Sequence, residues 1–150
     1  MALYTGTRLN RTPTGSHDEW TLDAASGEVG SLYFVEAGGE HTSSIAMRTR
    51  WCYSSAATGA LTALTSIEKT DPVQQALTNL ITFGSPYATT QPTLAAGDWY
   101  AEGWNAHGGL ARYQAPLAQD ELIIIGPKTV SCRNVVGTVV SDYICKWREF

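Results

Sequence analysis

The chain has 150 residues, a net charge of −4, 43% hydrophobic residues and only 16% charged residues. That size suits one domain with a core needing no staples, and the apolar content argues against wholesale disorder. An acidic chain with ten scattered basic residues is poorly made for gripping a nucleic-acid backbone.

The missing charge is replaced by 18 threonines, 18 alanines and 14 glycines, which with five tryptophans and seven tyrosines favour strands joined by many turns. Residues 1–30 are broken by Gly6, Pro13, Gly15, Gly27 and Gly30. Met1, Ala2, Leu3, Tyr4 and Leu9 show no sustained period, so residues 1–16 read as an extended N-terminal arm that a neighbouring chain or the sandwich edge must cover. Residues 14–18 read as a turn and residues 19–22 as a short strand. Residues 31–37 form a strand closed by Gly38-Gly39, which places His41 on a hairpin tip. Residues 44–53 alternate: Ile45, Met47, Thr49 and Trp51 face one way, Ala46, Arg48, Arg50 and Cys52 the other.

A helical pattern follows, with Asp71 as a cap, Pro72 at the first helical position, and Val73, Ala76, Leu77, Leu80 and Ile81 at helical spacing. Thr78, Thr82 and Phe83 leave a strand over residues 77–83 as the alternative. Residues 99–104 and 110–114 read as strands around a loop at 105–109. Residues 121–125 read as a buried strand stopped by Gly126-Pro127. Residues 129–134 and 139–147 read as a hairpin whose last strand puts Val139, Ser141, Tyr143, Cys145 and Trp147 on one face, with Trp147 expected in the core near Trp51. About eight strands at this spacing predict an all-β chain. The expected fold is a two-sheet antiparallel β-sandwich, jelly-roll-like, with at most one short helix near 72–82 and a single domain over residues 1–150.

Chemistry is sparse. No G-x-S-x-G elbow is present, and Ser16-His17-Asp18 are adjacent residues that cannot face one another as a triad. His17, His41 and His107 lack a second ligand nearby in sequence. Cys52, Cys132 and Cys145 are odd in number and lack CxxC spacing, so reduced, buried thiols are expected. No catalytic residue, cofactor or metal is therefore assigned, and no apolar run approaches the length of a membrane span. Two constellations remain. Asp98, Trp99, Trp104, Asn105 and His107 combine stacking rings with hydrogen-bonding groups, the pattern of a sugar site on a β-sandwich. Arg48 and Arg50 lie on the non-core face of their strand, where arginine serves protein interfaces.

The opening Ala2-Leu3-Tyr4-Thr5-Gly6-Thr7-Arg8-Leu9-Asn10-Arg11 resembles the start of small β-sandwich structural proteins of tailed bacteriophages. So do the segments Arg112–Leu117, Glu121–Ile125, Val130–Asn134 and the final Lys146-Trp147-Arg148-Glu149. The resemblance covers about half the chain and departs at residues 71–83, which are strand-like in those proteins. It implies a virion component, a capsid decoration (cement) protein or head-tail accessory, assembled in the host cytoplasm and working as a homo-oligomer, with a trimer expected. Its partners would be the major capsid protein or other virion proteins, met through Leu3, Tyr4, Arg8, Arg11, Arg48 and Arg50. The alternative is a carbohydrate-binding β-sandwich module of a phage fibre or spike. The resemblance brings no catalytic residues.

Overall fold

The computed structural model describes residues 1–14, 17–55, 64, 67–69, 81–84 and 91–150. Eleven strands are found among them: β1 (Ala2–Arg11), β2 (Trp20–Ala24), β3 (Val29–Glu40), β4 (Ala46–Ser54), β5 (Ile67–Lys69), β6 (Thr82–Gly84), β7 (Tyr100–Asn105), β8 (His107–Gln114), β9 (Leu122–Ile125), β10 (Lys128–Val136) and β11 (Ser141–Glu149). The one helical element among the described residues is a 3-10 turn, Ala118–Asp120. The strands form two antiparallel sheets. Sheet A runs β5-β1-β11-β3-β8, with β9 also paired to β3; sheet B runs β6-β2-β10-β4-β7.

The winding is that of a jelly roll. The first long strand pairs with the last, and the pairs nest inward: β1 with β11 and β3 with β8 in sheet A, β2 with β10 and β4 with β7 in sheet B. Most consecutive strands thus lie in opposite sheets, the exceptions being β6 and β7 in sheet B and β8 and β9 in sheet A. The expected all-β two-sheet sandwich is the observed architecture, with more strands than the sequence pattern resolved.

Strand alternation builds the core. Met47, Thr49 and Trp51 of β4 point inward, as do Tyr143, Cys145 and Trp147 of β11, and all are buried. Three aromatic residues, with Met47, Thr49 and Cys145, fill the layer at these positions between two pleated surfaces about 10 Å apart. Two aromatic stacks bridge the sheets. Trp147 lies between Tyr4, at 5.4 Å, and Phe83, at 5.8 Å, and Phe83 reaches Trp20 at 6.1 Å. Trp51 stacks on Tyr100 at 5.5 Å, Tyr100 on Tyr113 at 4.7 Å, and Trp99 meets Tyr113 edge-on. Trp147 is therefore in the core as expected, but its ring neighbours are Tyr4 and Phe83 rather than Trp51.

Several local expectations are corrected. Residues 2–11 are not an extended arm: β1 sits between β5 and β11, with inward Ala2, Tyr4, Gly6 and Arg8 buried. The alternation was hidden because two of the inward positions are a glycine and an arginine. β10 and β11 do not form a hairpin. They belong to different sheets, and the chain crosses between them at Gly137, whose φ of 82° favours glycine. A Cβ there would also meet Met47 Sδ at 2.3 Å.

β3 runs past Gly38-Gly39 to Glu40, and His41 then starts a crossing to sheet B rather than a hairpin tip. β9 is buried on one side only. Leu122 and Ile124 face in, whereas Ile123 and Ile125 are 41% and 51% exposed, because β9 covers the core with a single face. The helix expected near 72–82 falls mostly on residues outside the described ones; its end, residues 82–83, is strand β6. The three thiols are free and buried, as expected.

Candidate functional site

The residues of the possible sugar site are dispersed. Asp98 and Trp99 precede β7, whereas Trp104, Asn105 and His107 lie at its far end. Asp98 is held by Arg50, whose Nε donates to its Oδ1 at 2.6 Å. Trp99 is half-buried and donates its indole N–H to the Asp120 carbonyl at 2.9 Å. Trp104 is buried in the core and donates to Thr49 Oγ1 at 3.1 Å. Thr49 in turn donates to Asn134 Oδ1, whose amide bonds the Val136 and Gly137 carbonyls at the sheet crossing. Asn105 bonds Ser44 Oγ and accepts from the His107 backbone N–H, and the His107 ring lies 2.8 Å from the His41 carbonyl. These residues tie loops together at opposite ends of one strand, with the Trp104 ring buried and the Asn105 amide taken by Ser44.

The partner-binding candidates also separate. Leu3 lies half-buried on the outer face of β1. Tyr4 points inward and stacks on Trp147. Arg8 is buried and donates to the Glu19 carbonyl at 2.7 Å, and Arg11 approaches the Glu19 carboxylate at 3.9 Å. Arg48 is exposed on sheet B. Arg50 is spent on Asp98 and on the Ala95 carbonyl.

Two buried acids organise the chain before β2. Burial pushes the Glu19 carboxyl up to about 7, with Arg11 and Arg8 opposing and Asp18 adding to the rise. Burial also raises Asp18, against a hydrogen bond from Ser131 and the charge of Arg133. Asp18 accepts from Ser131 Oγ at 2.7 Å and from Arg133 at 2.7 Å, and is 1% exposed.

These bonds belong to a cover over sheet B. On its outer face Thr21, Cys52 and Ser131 are fully buried. Residues 17–18 and 91–98 run across that face. The Pro92 carbonyl accepts from Arg133 at 2.8 Å, Ala95 N–H donates to Tyr53 at 2.8 Å, and Gln91 takes the Asp18 N–H.

Sheet A is different, because nothing among the described residues crosses its outer face. Leu9 is 57% exposed, Leu110 46%, Ile123 41% and Ile125 51%. Leu3, Phe34 and Ile144 lie half-buried among them. Basic groups flank the rings: Lys146 Nζ sits 5.0 Å from the Phe34 centroid, Arg112 5.9 Å from it, and Arg148 4.9 Å from Tyr33. Arg112 pairs with Glu36 and Arg148 with Glu121, each at 2.6 Å. One hollow of about 320 Å³ opens on this face, lined by Leu9, Glu36, Gly38, Leu110, Asp142 and Ile144 among others.

Composition foretold a charge-poor surface but not which sheet would stay open; the cover over sheet B depends on loops paired to it from far along the chain. Leu110, Ile144 and Phe34 carried only the signal of apolar residues on the outward register. Among the described residues no group of three or more His, Cys, Asp or Glu converges as a metal site would. The Cys52 thiol is pushed up to about 11 by burial, which disfavours the nucleophilic thiolate. No family model, no curated protein and no solved structure matches this chain.

Proposed function

We propose that this protein is a structural virion component of a tailed phage, a capsid decoration protein or head-tail accessory, acting through protein–protein contacts as a symmetric oligomer. One observation carries the reading: among the described residues, loops cover the outer face of sheet B and none crosses the outer face of sheet A, where Leu9, Leu110, Ile123 and Ile125 are exposed. The exposed apolar residues stand at the two ends of this face with Phe34, Ile144 and charged groups between them, and a face mixing aromatic rings with arginine has the composition of an interface. The resemblance of both chain ends to phage structural proteins supplies the setting. A sugar-binding reading has less support, since Trp104 is buried and Trp99 spends its N–H on the Asp120 carbonyl.

Electron microscopy of purified virions whose genome encodes the chain tests this. The expected result is repeated density, fitting the two-sheet sandwich, in contact with the shell or neck. Particles without such density would refute the proposal, and selective retention of the protein on a glycan array would replace it with the sugar-binding alternative.

A further inference from the structure

We infer that the outer face of sheet A packs against the same face of a second copy across a two-fold axis. The inference rests on the reading that this face makes protein contacts, and it names the partner. The argument comes from the strand register. One row of outward residues crosses the sheet through Thr7, Ile144, Glu36 and Arg112. Two residues along the strands on one side lies a second row, Asp142, Gly38 and Leu110. Two residues along on the other side lies a third, Thr5, Lys146, Phe34 and Gln114. The outer rows are unlike in a complementary way. The second holds the glycine-floored hollow of about 320 Å³, with the Asp142 and Glu36 carboxylates at its rim. The third holds the Phe34 ring, with Lys146 5.0 Å from its centroid.

A two-fold axis lying in the interface along the middle row reverses the strand direction and lays each outer row on the other. Phe34 then faces Gly38 of the partner subunit, Lys146 faces Asp142 of the partner subunit, and the middle-row residues meet their own copies: Ile144 on Ile144, and the Glu36–Arg112 ion pair, which is neutral within each copy, on its equivalent. Each contact off the axis occurs twice and each on it once, as an isologous interface requires. The charges are available for this. Lys146 has no carboxylate partner among the described residues, and Asp142 accepts only the backbone N–H of Asn10, at 2.7 Å. Leu110 already lies over Gly38, where an added Cβ would meet its Cδ1 at 3.0 Å, so the partner's Phe34 ring packs on the Leu110 side chain at the edge of the hollow. About this axis the four strands, ~4.8 Å apart, overlap over about seven or eight residues each at ~3.3 Å, which offers roughly 470 Å² per copy. Two copies would bury about 950 Å², the size of a weak interface, so the dimer is expected to dissociate on dilution within the micromolar range.

The test is sedimentation equilibrium of the full chain over a micromolar concentration range, with far-ultraviolet circular dichroism to confirm folding. The wild type should approach twice the 16.2 kDa of one chain. Asp142→Lys and Lys146→Asp should each weaken self-association at least tenfold, because like charges then face each other twice. An equimolar mixture of the two variants should regain the doubled mass, since each supplies the charge that the other lacks. Phe34→Ser, which leaves those charges alone, should also give single chains. A wild type that stays at one chain mass, single variants that dimerise as well as the parent, a mixture that does not recover, or a mass of three chains would each overturn the two-fold face. Virion density from a protein that is monomeric in solution would overturn this inference alone. A two-fold dimer absent from virions would overturn the virion reading alone.

Discussion

Replacing Trp147 by alanine should be the most damaging single truncation in the core. The indole is fully buried, stacked on Tyr4 with an interplanar angle of 20° and on Phe83 with one of 23°. Its Nε1–H donates to Glu149 Oε1 at 3.1 Å, the same carboxylate oxygen that takes the Ile81 backbone N–H at 3.0 Å. Truncation removes apolar contact area, leaves a cavity between the sheets and takes one donor from a buried carboxylate. The first two effects together cost about 3–5 kcal/mol for a buried tryptophan, and the lost donor adds ~1–2 kcal/mol. A domain of this length loses about 2–4 °C of melting temperature per kcal/mol, so a drop of at least ~8 °C is expected. Trp147→Phe keeps the ring stack and loses only the donor and some volume, so it should fall between parent and alanine. Thermal unfolding followed by far-ultraviolet circular dichroism measures all three. An alanine variant melting within two degrees or so of the parent, or a phenylalanine variant as unstable as alanine, would refute the assignment of Trp147 to the inter-sheet stack.

Three further outcomes follow from the same geometry. Glu19 has its carboxyl pushed up to about 7 from an ordinary 4.5, so the folded state holds its proton more tightly than the unfolded chain does; stability should fall as pH rises from about 4.5 to 7, and Glu19→Gln should flatten that slope in melting curves taken across the window. Gly6→Ala should cost about 1–3 kcal/mol by chemical denaturation, because its new Cβ would sit 2.9 Å from the Phe83 ring, itself packed against Trp20 and Trp147; a neutral effect would mean the ring can move aside. Deleting residues 2–11 removes a strand bonded on both sides and exposes Trp147 and Tyr143, so the truncated chain should show no cooperative unfolding transition; a folded, cooperative product would show that β1 is a dispensable arm.

Read from the amino-acid sequence alone, the strands with a clean apolar period stand out. β4 shows through Met47, Thr49 and Trp51, and β11 through Tyr143, Cys145 and Trp147, because side chains alternate across a strand whatever its partners are. Composition likewise marks the chain as all-β with a charge-poor surface. β1 escaped notice because Gly6 and Arg8 occupy inward positions, the first to leave room for Phe83 and the second to bond the Glu19 carbonyl. Both reasons lie in residues distant along the chain. The same holds for the pairing of β10 and β11. Nearness in sequence suggests a hairpin, but a jelly roll sends neighbouring strands to opposite sheets, and β10 finds β2 and β4 while β11 finds β1 and β3. The candidate surface was decided last. Leu110, Phe34 and Ile144 become one face only once the register aligns three strands. Arg50 and Asp98, assigned to different sites from sequence, become partners of each other once residues 91–98 close over sheet B. Local pattern determines which way a side chain points along its strand; which strands adjoin, and which face stays open to a partner, depends on contacts between residues far apart in the chain, which tertiary packing alone selects.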